Sequence, residues 1–185
     1  IEELHEIVGD KKISLMVYAK ADHNRIFSHG ITQNNIANFN IRNYFVLYYE
    51  ADEDTDLFKA IKETGDKLGE IESLIIGGHG TRIGTVFKDG ADLNLHEDYS
   101  LEQNDYFEMT QHYNLSQYKI NNIALYICST GQGIGNIYNI ANLLGCVFRS
   151  SNIYAPTRPL NQIVLSFDDN NNIDSFEFIS TTVYG

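Results

Sequence analysis

Asn122-Ile-Ala-Leu-Tyr-Ile-Cys-Ser-Thr-Gly-Gln-Gly-Ile-Gly135 is an apolar run that stops at Cys128 and passes at once into small residues and glycines. A run of that length, rich in branched and aromatic side chains, reads as a buried strand. The apolar residues at 134, 137, 138, 141 and 144 then fall on one helical face, which Gly145 is expected to close. A strand handing over to a helix puts its last residue at the carboxyl edge of a sheet, where open α/β folds build their sites. Glu72-Ser-Leu-Ile-Ile-Gly-Gly-His-Gly-Thr81 has the same build and ends in Gly78-His79-Gly80. Two strands of this kind deliver a histidine and a thiol to one edge, the minimum for thiolate chemistry.

Outward from these two runs, strands and helices alternate. Residues 1–8 read as a helical lead-in, Ile13 to Ala19 as a central strand, and Tyr44 to Tyr49 as another. Asp22 to Asn43 is polar and asparagine-rich and reads as a long loop with room for a helical turn. The acids of Asp52-Glu-Asp-Thr-Asp56 suit the positive end of a helix whose face carries Leu57, Ile61 and Leu68. A metal site there needs ligands from elsewhere, and the sequence offers none.

Arg82 to Leu95 reads as a hairpin around an Asp89-Gly90 turn. Ser100-Leu-Glu-Gln103 has capping-box form and is expected to open a helix to about Tyr113. Cys146 to Ser151 reads as a fifth strand. Ile163, Leu165 and Phe167 alternate on one arm of a terminal hairpin, with Phe176 and Phe178 on the other. The predicted fold is an α/β sandwich with a mostly parallel central sheet and a C-terminal β-hairpin.

Composition narrows the function. At 185 residues the chain suits one domain, and its start at Ile1 rather than methionine reads as a piece of a longer protein. A net charge of −12, from 13 basic and 25 acidic residues, argues against nucleic acid or an anionic membrane surface as partner. Two cysteines in a chain of this size read as free thiols in a reducing compartment.

No cofactor or metal is expected. Gly131-Gln-Gly133-Ile-Gly135 lacks both the dinucleotide glycine spacing and a phosphate-loop lysine. Asp168-Asp-Asn-Asn-Asn172 has the acid spacing of a calcium loop but places Ile173 where the sixth-position glycine belongs and Ile179 where the twelfth-position acid belongs, so it reads as a polar turn.

A lone cysteine at a strand end is ordinarily a packing residue. Two features favour chemistry at Cys128. The small residues and helix that follow it offer N–H groups that favour a thiolate. His79 lies 49 positions earlier, which leaves room for one hairpin, one helix and one strand between neighbouring strand ends. The glycines around His79 permit close approach of backbone to a ligand.

The order and spacing of these blocks resemble the caspase-like cysteine peptidases of clan CD, above all the autoprocessing protease domains of large bacterial toxins and the CHAT and separase branches. Leu74-Ile-Ile-Gly-Gly-His-Gly80 is similar to the histidine block, Ile123-Ala-Leu-Tyr-Ile-Cys-Ser129 to the nucleophile block, and Asn142-Leu-Leu-Gly-Cys-Val-Phe-Arg-Ser-Ser151 to the helix end and strand lining the S1 pocket. The resemblance spans about residues 70–155.

It implies that Cys128 is the nucleophile and His79 the general acid/base, with the N–H groups of Gly80 and Cys128 as oxyanion donors. It further implies that Asp22 orients the histidine and that Arg149, Ser150 and Ser151 lie by the substrate. The implied substrate is a polypeptide, including the parent chain itself, and the implied setting is a cytoplasm or a host cytosol. The polyanionic activator of the toxin domains is not implied, because so acidic a chain is poorly suited to hold it. The rival readings are a catalytically silent interaction module of the same fold and a small-molecule-binding domain using the Gly131–Gly135 loop.

Overall fold

The computed structural model describes residues 2–20, 31–80, 85–86, 100–101, 105–132, 139–159 and 162–179. Its frame is a five-stranded parallel sheet in the order β2-β1-β3-β7-β8, made of Tyr44–Ala51, Lys12–Ala19, Ile71–Gly77, Ile120–Tyr126 and Asn152–Tyr154. β1 is buried along almost its whole length, as an apolar run broken by Ser14 alone after Lys12 requires of a strand covered on both faces.

Alternation along the strands splits the core in two. Leu15, Val17, Leu74, Ile76, Ile123 and Leu125 face one side, against Leu57, Phe58 and Ile61 of α3 (Asp54–Leu68) and Leu143, Leu144 and Val147 of α5 (Ile140–Val147). Met16, Tyr18, Ile75, Ala124 and Tyr126 face the other, covered by Phe39 of α2 (Ile31–Ile41) and by the antiparallel hairpin of β9 (Gln162–Phe167) and β10 (Ile173–Ile179). On that hairpin Phe176 pairs with Leu165 and Phe178 with Ile163, the alternation read from the sequence. Its turn closes on Asp168, whose Oδ1 accepts from the Asn170 and Asn172 N–H groups, each at 2.9 Å. The predicted α/β class, parallel sheet and terminal hairpin are therefore the observed architecture.

Four local expectations are corrected. α2 occupies part of the supposed long loop; among its described side chains Ile36 and Phe39, three apart, join the core, so its helical period is faint in the sequence. Ser100–Leu101 is a strand, β6, rather than a helix cap. It pairs with β5 (Thr85–Val86), which pairs with β4 (His79–Gly80) in a small antiparallel sheet.

Of the helix expected from Ser100, the described part runs from Asp105, residues 102–104 lying outside the described residues. A single turn, α4 (Asp105–Phe107), widens into a π-helix at Glu108–His112, closed by the Tyr113 N–H donating to the Glu108 carbonyl at 3.0 Å. Finally, α5 runs through Gly145 and Cys146 to Val147, so the supposed fifth strand starts only at Asn152. Most of the hairpin expected over 82–95 lies outside the described residues, as does the helical face before Asn139. Among the described residues no helix is long and apolar enough to cross a membrane.

Candidate active site

His79 and Cys128 leave the sheet side by side. β3 and β7 are adjacent and parallel, and their last paired residues are Gly77 and Tyr126. His79 and Cys128 each stand two residues beyond that pair, and the Gly78 N–H donates to the Tyr126 carbonyl at 3.3 Å to carry the ladder one step further. Both side chains are half-buried at the carboxyl edge. His79 then enters β4, so the small antiparallel sheet grows directly out of the central one.

Gly77 has a different reason from the one its sequence context implies. A Cβ at Gly77 would stand 2.9 Å from the Tyr18 ring. Tyr18, Gly77 and Tyr126 share one rung across β1, β3 and β7, and the two rings meet edge to face with centroids 6.2 Å apart. The glycine makes room for an aromatic floor beneath the site and not for a ligand.

The turn after Cys128 is tightly held. Ser129 is left-handed, with φ 59°, a conformation that costs an L-residue about 1–2 kcal/mol and persists where the surroundings dictate it. Here they do: the Ser129 N–H donates to the Arg158 carbonyl at 3.3 Å, the Gly131 N–H to the Pro156 carbonyl at 2.9 Å, and the Gln132 N–H to the Ser129 carbonyl at 3.0 Å. A Cβ at Gly131 would lie 2.8 Å from the Ala155 carbonyl oxygen, so this position admits glycine for close backbone approach. Residues 155–158, which follow β8, thereby form the wall beside the thiol. The described helix starts only at Ile140, capped by Asn139, whose side chain accepts from the Asn142 N–H at 2.8 Å. Residues 128–131 form a turn, and the stretch 133–138, over which the helix is expected to begin, lies outside the described residues.

The other expected site residues fall in different places. Asp22 lies outside the described residues. Arg149, Ser150 and Ser151 fall in the turn before β8, and the Ser151 hydroxyl donates to the carbonyl of Ile120, the first residue of β7. That is the amino edge of the sheet, opposite Cys128, so these three residues do not line the site. The cause is the extension of α5 through Val147, which moves the last strand four residues or more along the chain. Gly80 does lie beside His79, in β4. Cys146 is exposed on α5, and no disulfide joins it to Cys128.

A second cluster was missed in the sequence. Carboxylate oxygens of Asp54, Asp105 and Glu108 lie within 4.8 Å of one another, with Asp54 and Asp105 buried. Asp54, in the first turn of α3, thus meets ligand-bearing residues from α4 and the π-helix, contrary to the expectation that none converge there. Burial, then the charge and hydrogen bond of Asp105, push the Asp54 carboxyl up to about 8, although the Thr55 N–H donates to it at 2.6 Å. Such an all-oxygen set suits a hard cation, or a proton shared between carboxyls. The only signal available in the sequence was the apolar environment around Asp54, whose neighbours Leu57 and Phe58 point into the core.

Compared with models of known protein families and with characterised proteins, the chain matches neither.

Proposed function

We propose that the chain is a cysteine endopeptidase of caspase-like type in which Cys128 attacks a peptide carbonyl and His79 serves as general acid/base. The observation that carries this reading is the placement of both residues two positions past a paired rung of adjacent parallel strands, at the edge where α/β folds do chemistry. In the reaction the Cys128 thiol gives its proton to His79 as its sulfur bonds to the carbonyl carbon, and the N–H groups of Cys128 and Gly80 take the oxyanion. The C–N bond breaks as the His79 imidazolium gives its proton to the leaving amine. Water, deprotonated by His79, then cleaves the thioester and frees the thiol. The substrate is a polypeptide, with the parent chain as one candidate.

The test is alkylation followed by mass-spectrometric mapping. Cys146 is the more exposed thiol, so accessibility alone makes it label first. The expected result is the reverse: at pH 6.5 iodoacetamide labels Cys128 about tenfold faster than Cys146, because His79 takes the thiol proton as the sulfur attacks. His79→Ala slows Cys128 about tenfold, and Cys128→Ala removes hydrolysis of a peptide library. Equal, slow labelling of both cysteines in wild type and His79→Ala would sink the proposal.

A further inference from the structure

We infer that Thr130 is a positioning residue for the nucleophile, holding the Cys128–Ser129 turn from beneath through its hydroxyl; this rests on the reading of Cys128 as nucleophile. Thr130 is fully buried, and a buried hydroxyl costs free energy unless it is bonded. Its Oγ1–H donates to the Ile127 carbonyl at 3.1 Å, so the bond spans Cys128 and Ser129 and closes the turn on itself. Ile127 is the first residue past the end of β7, where the sheet no longer dictates the chain's path.

The Thr130 carbonyl in turn accepts from Ala141 at 3.1 Å, one of the first N–H groups of α5, which no carbonyl within the helix can reach. One residue thus joins the strand end, the turn and the helix start. On the opposite side, the bonds from Ser129 to Arg158 and from Gly131 to Pro156 fix the same turn against the wall after β8. Cys128 lies between these two sets of ties, with left-handed Ser129 as the bend they impose. Without the hydroxyl, the wall bonds remain but the inner closure is gone, and the thiol can swing relative to His79. A misplacement of about 1 Å can cost a hundredfold in rate.

The contrast to build is hydroxyl against shape in the full 185-residue chain: Thr130→Val keeps the shape and loses the bond, while Thr130→Ser keeps the bond and loses a methyl. The readout is the pH–rate profile of Cys128 alkylation between pH 5.5 and 9, with the Tm of each variant measured alongside. The expected result is that Thr130→Val slows Cys128 labelling about tenfold at pH 6.5 and changes the shape of the profile, whereas Thr130→Ser stays within about threefold of wild type. Superimposed profiles for Thr130→Val and wild type would overturn the inference while leaving the nucleophile reading intact. Should Thr130→Val not fold, Thr130→Ala against Thr130→Ser decides, since both lose the methyl and only one loses the hydroxyl; equal rates would overturn it. A wild-type Cys128 that labels no faster than Cys146 overturns both readings together.

Discussion

At Asp54, a carboxyl coupled to that of Asp105 is expected to make stability depend on pH. Burial and the neighbouring Asp105 raise it from an ordinary 3.8 to about 8. A carboxyl raised in the folded state contributes stability that is full below its unfolded value and is lost as pH rises through its folded one. The chain is therefore expected to weaken between about pH 4 and pH 8, by up to ~1.4 kcal/mol per unit from this residue. Asp54→Asn, which fixes the neutral form, should flatten that window and make the variant the more stable of the two at pH 8. Urea denaturation of both chains at pH 5, 6.5 and 8 checks it, and parallel pH curves would refute the assignment. A rise in wild-type Tm with millimolar calcium at pH 8, absent in Asp54→Asn, would show the same three carboxylates holding a cation instead.

At the scale of elements, α3 carries a packing constraint that reverses a usual rule. Glycine inside a helix normally costs about 1 kcal/mol against alanine. Gly65 sits in α3, but a Cβ there would stand 2.2 Å from the Tyr118 ring, which lies over it with its hydroxyl donating to Asp66. Gly65→Ala should therefore destabilise by about 1–3 kcal/mol, the range for overpacking. In a Tyr118→Ala background the same change should become neutral or stabilising, and a thermodynamic cycle on the four proteins measures that coupling. Additive effects would mean the ring moves aside freely.

Elements were legible in the sequence where burial imposed a period. β1, β3, β7 and the terminal hairpin are long apolar or alternating runs, and the His79 and Cys128 positions followed from where two of those runs stop. What was lost depends on partners far along the chain. α2 shows too few apolar residues to declare a helix, and Ser100 carries a capping signature that pairing with β5 overrides. The reading of 146–151 as a strand failed because β-branched and aromatic content at Val147 and Phe148 serves a helix end equally well. Asp54 was misread for a related reason: helix-start acids are ordinarily solvated, and only the arrival of α4 above it removes the water.

For the whole molecule, the site is a property of register. His79 and Cys128 belong to segments joined through the small sheet, in which β4 and β5 precede and β6 follows the stretch between Val86 and Ser100. Both cores draw on strands from before and after that stretch, since each face of the sheet takes residues from β1, β3 and β7.

A chain divided anywhere between Val86 and Ser100 therefore yields two pieces that each carry one member of the proposed catalytic pair. The first keeps β1, β2, β3 and the imidazole; the second keeps β7, β8, the hairpin and the sulfur. Six rungs of pairing between β3 and β7 are what would reunite them. Co-expression of the halves should restore rapid Cys128 labelling that the second half alone lacks, turning the seam between two neighbouring strands into a reporter of whether two polypeptides have met.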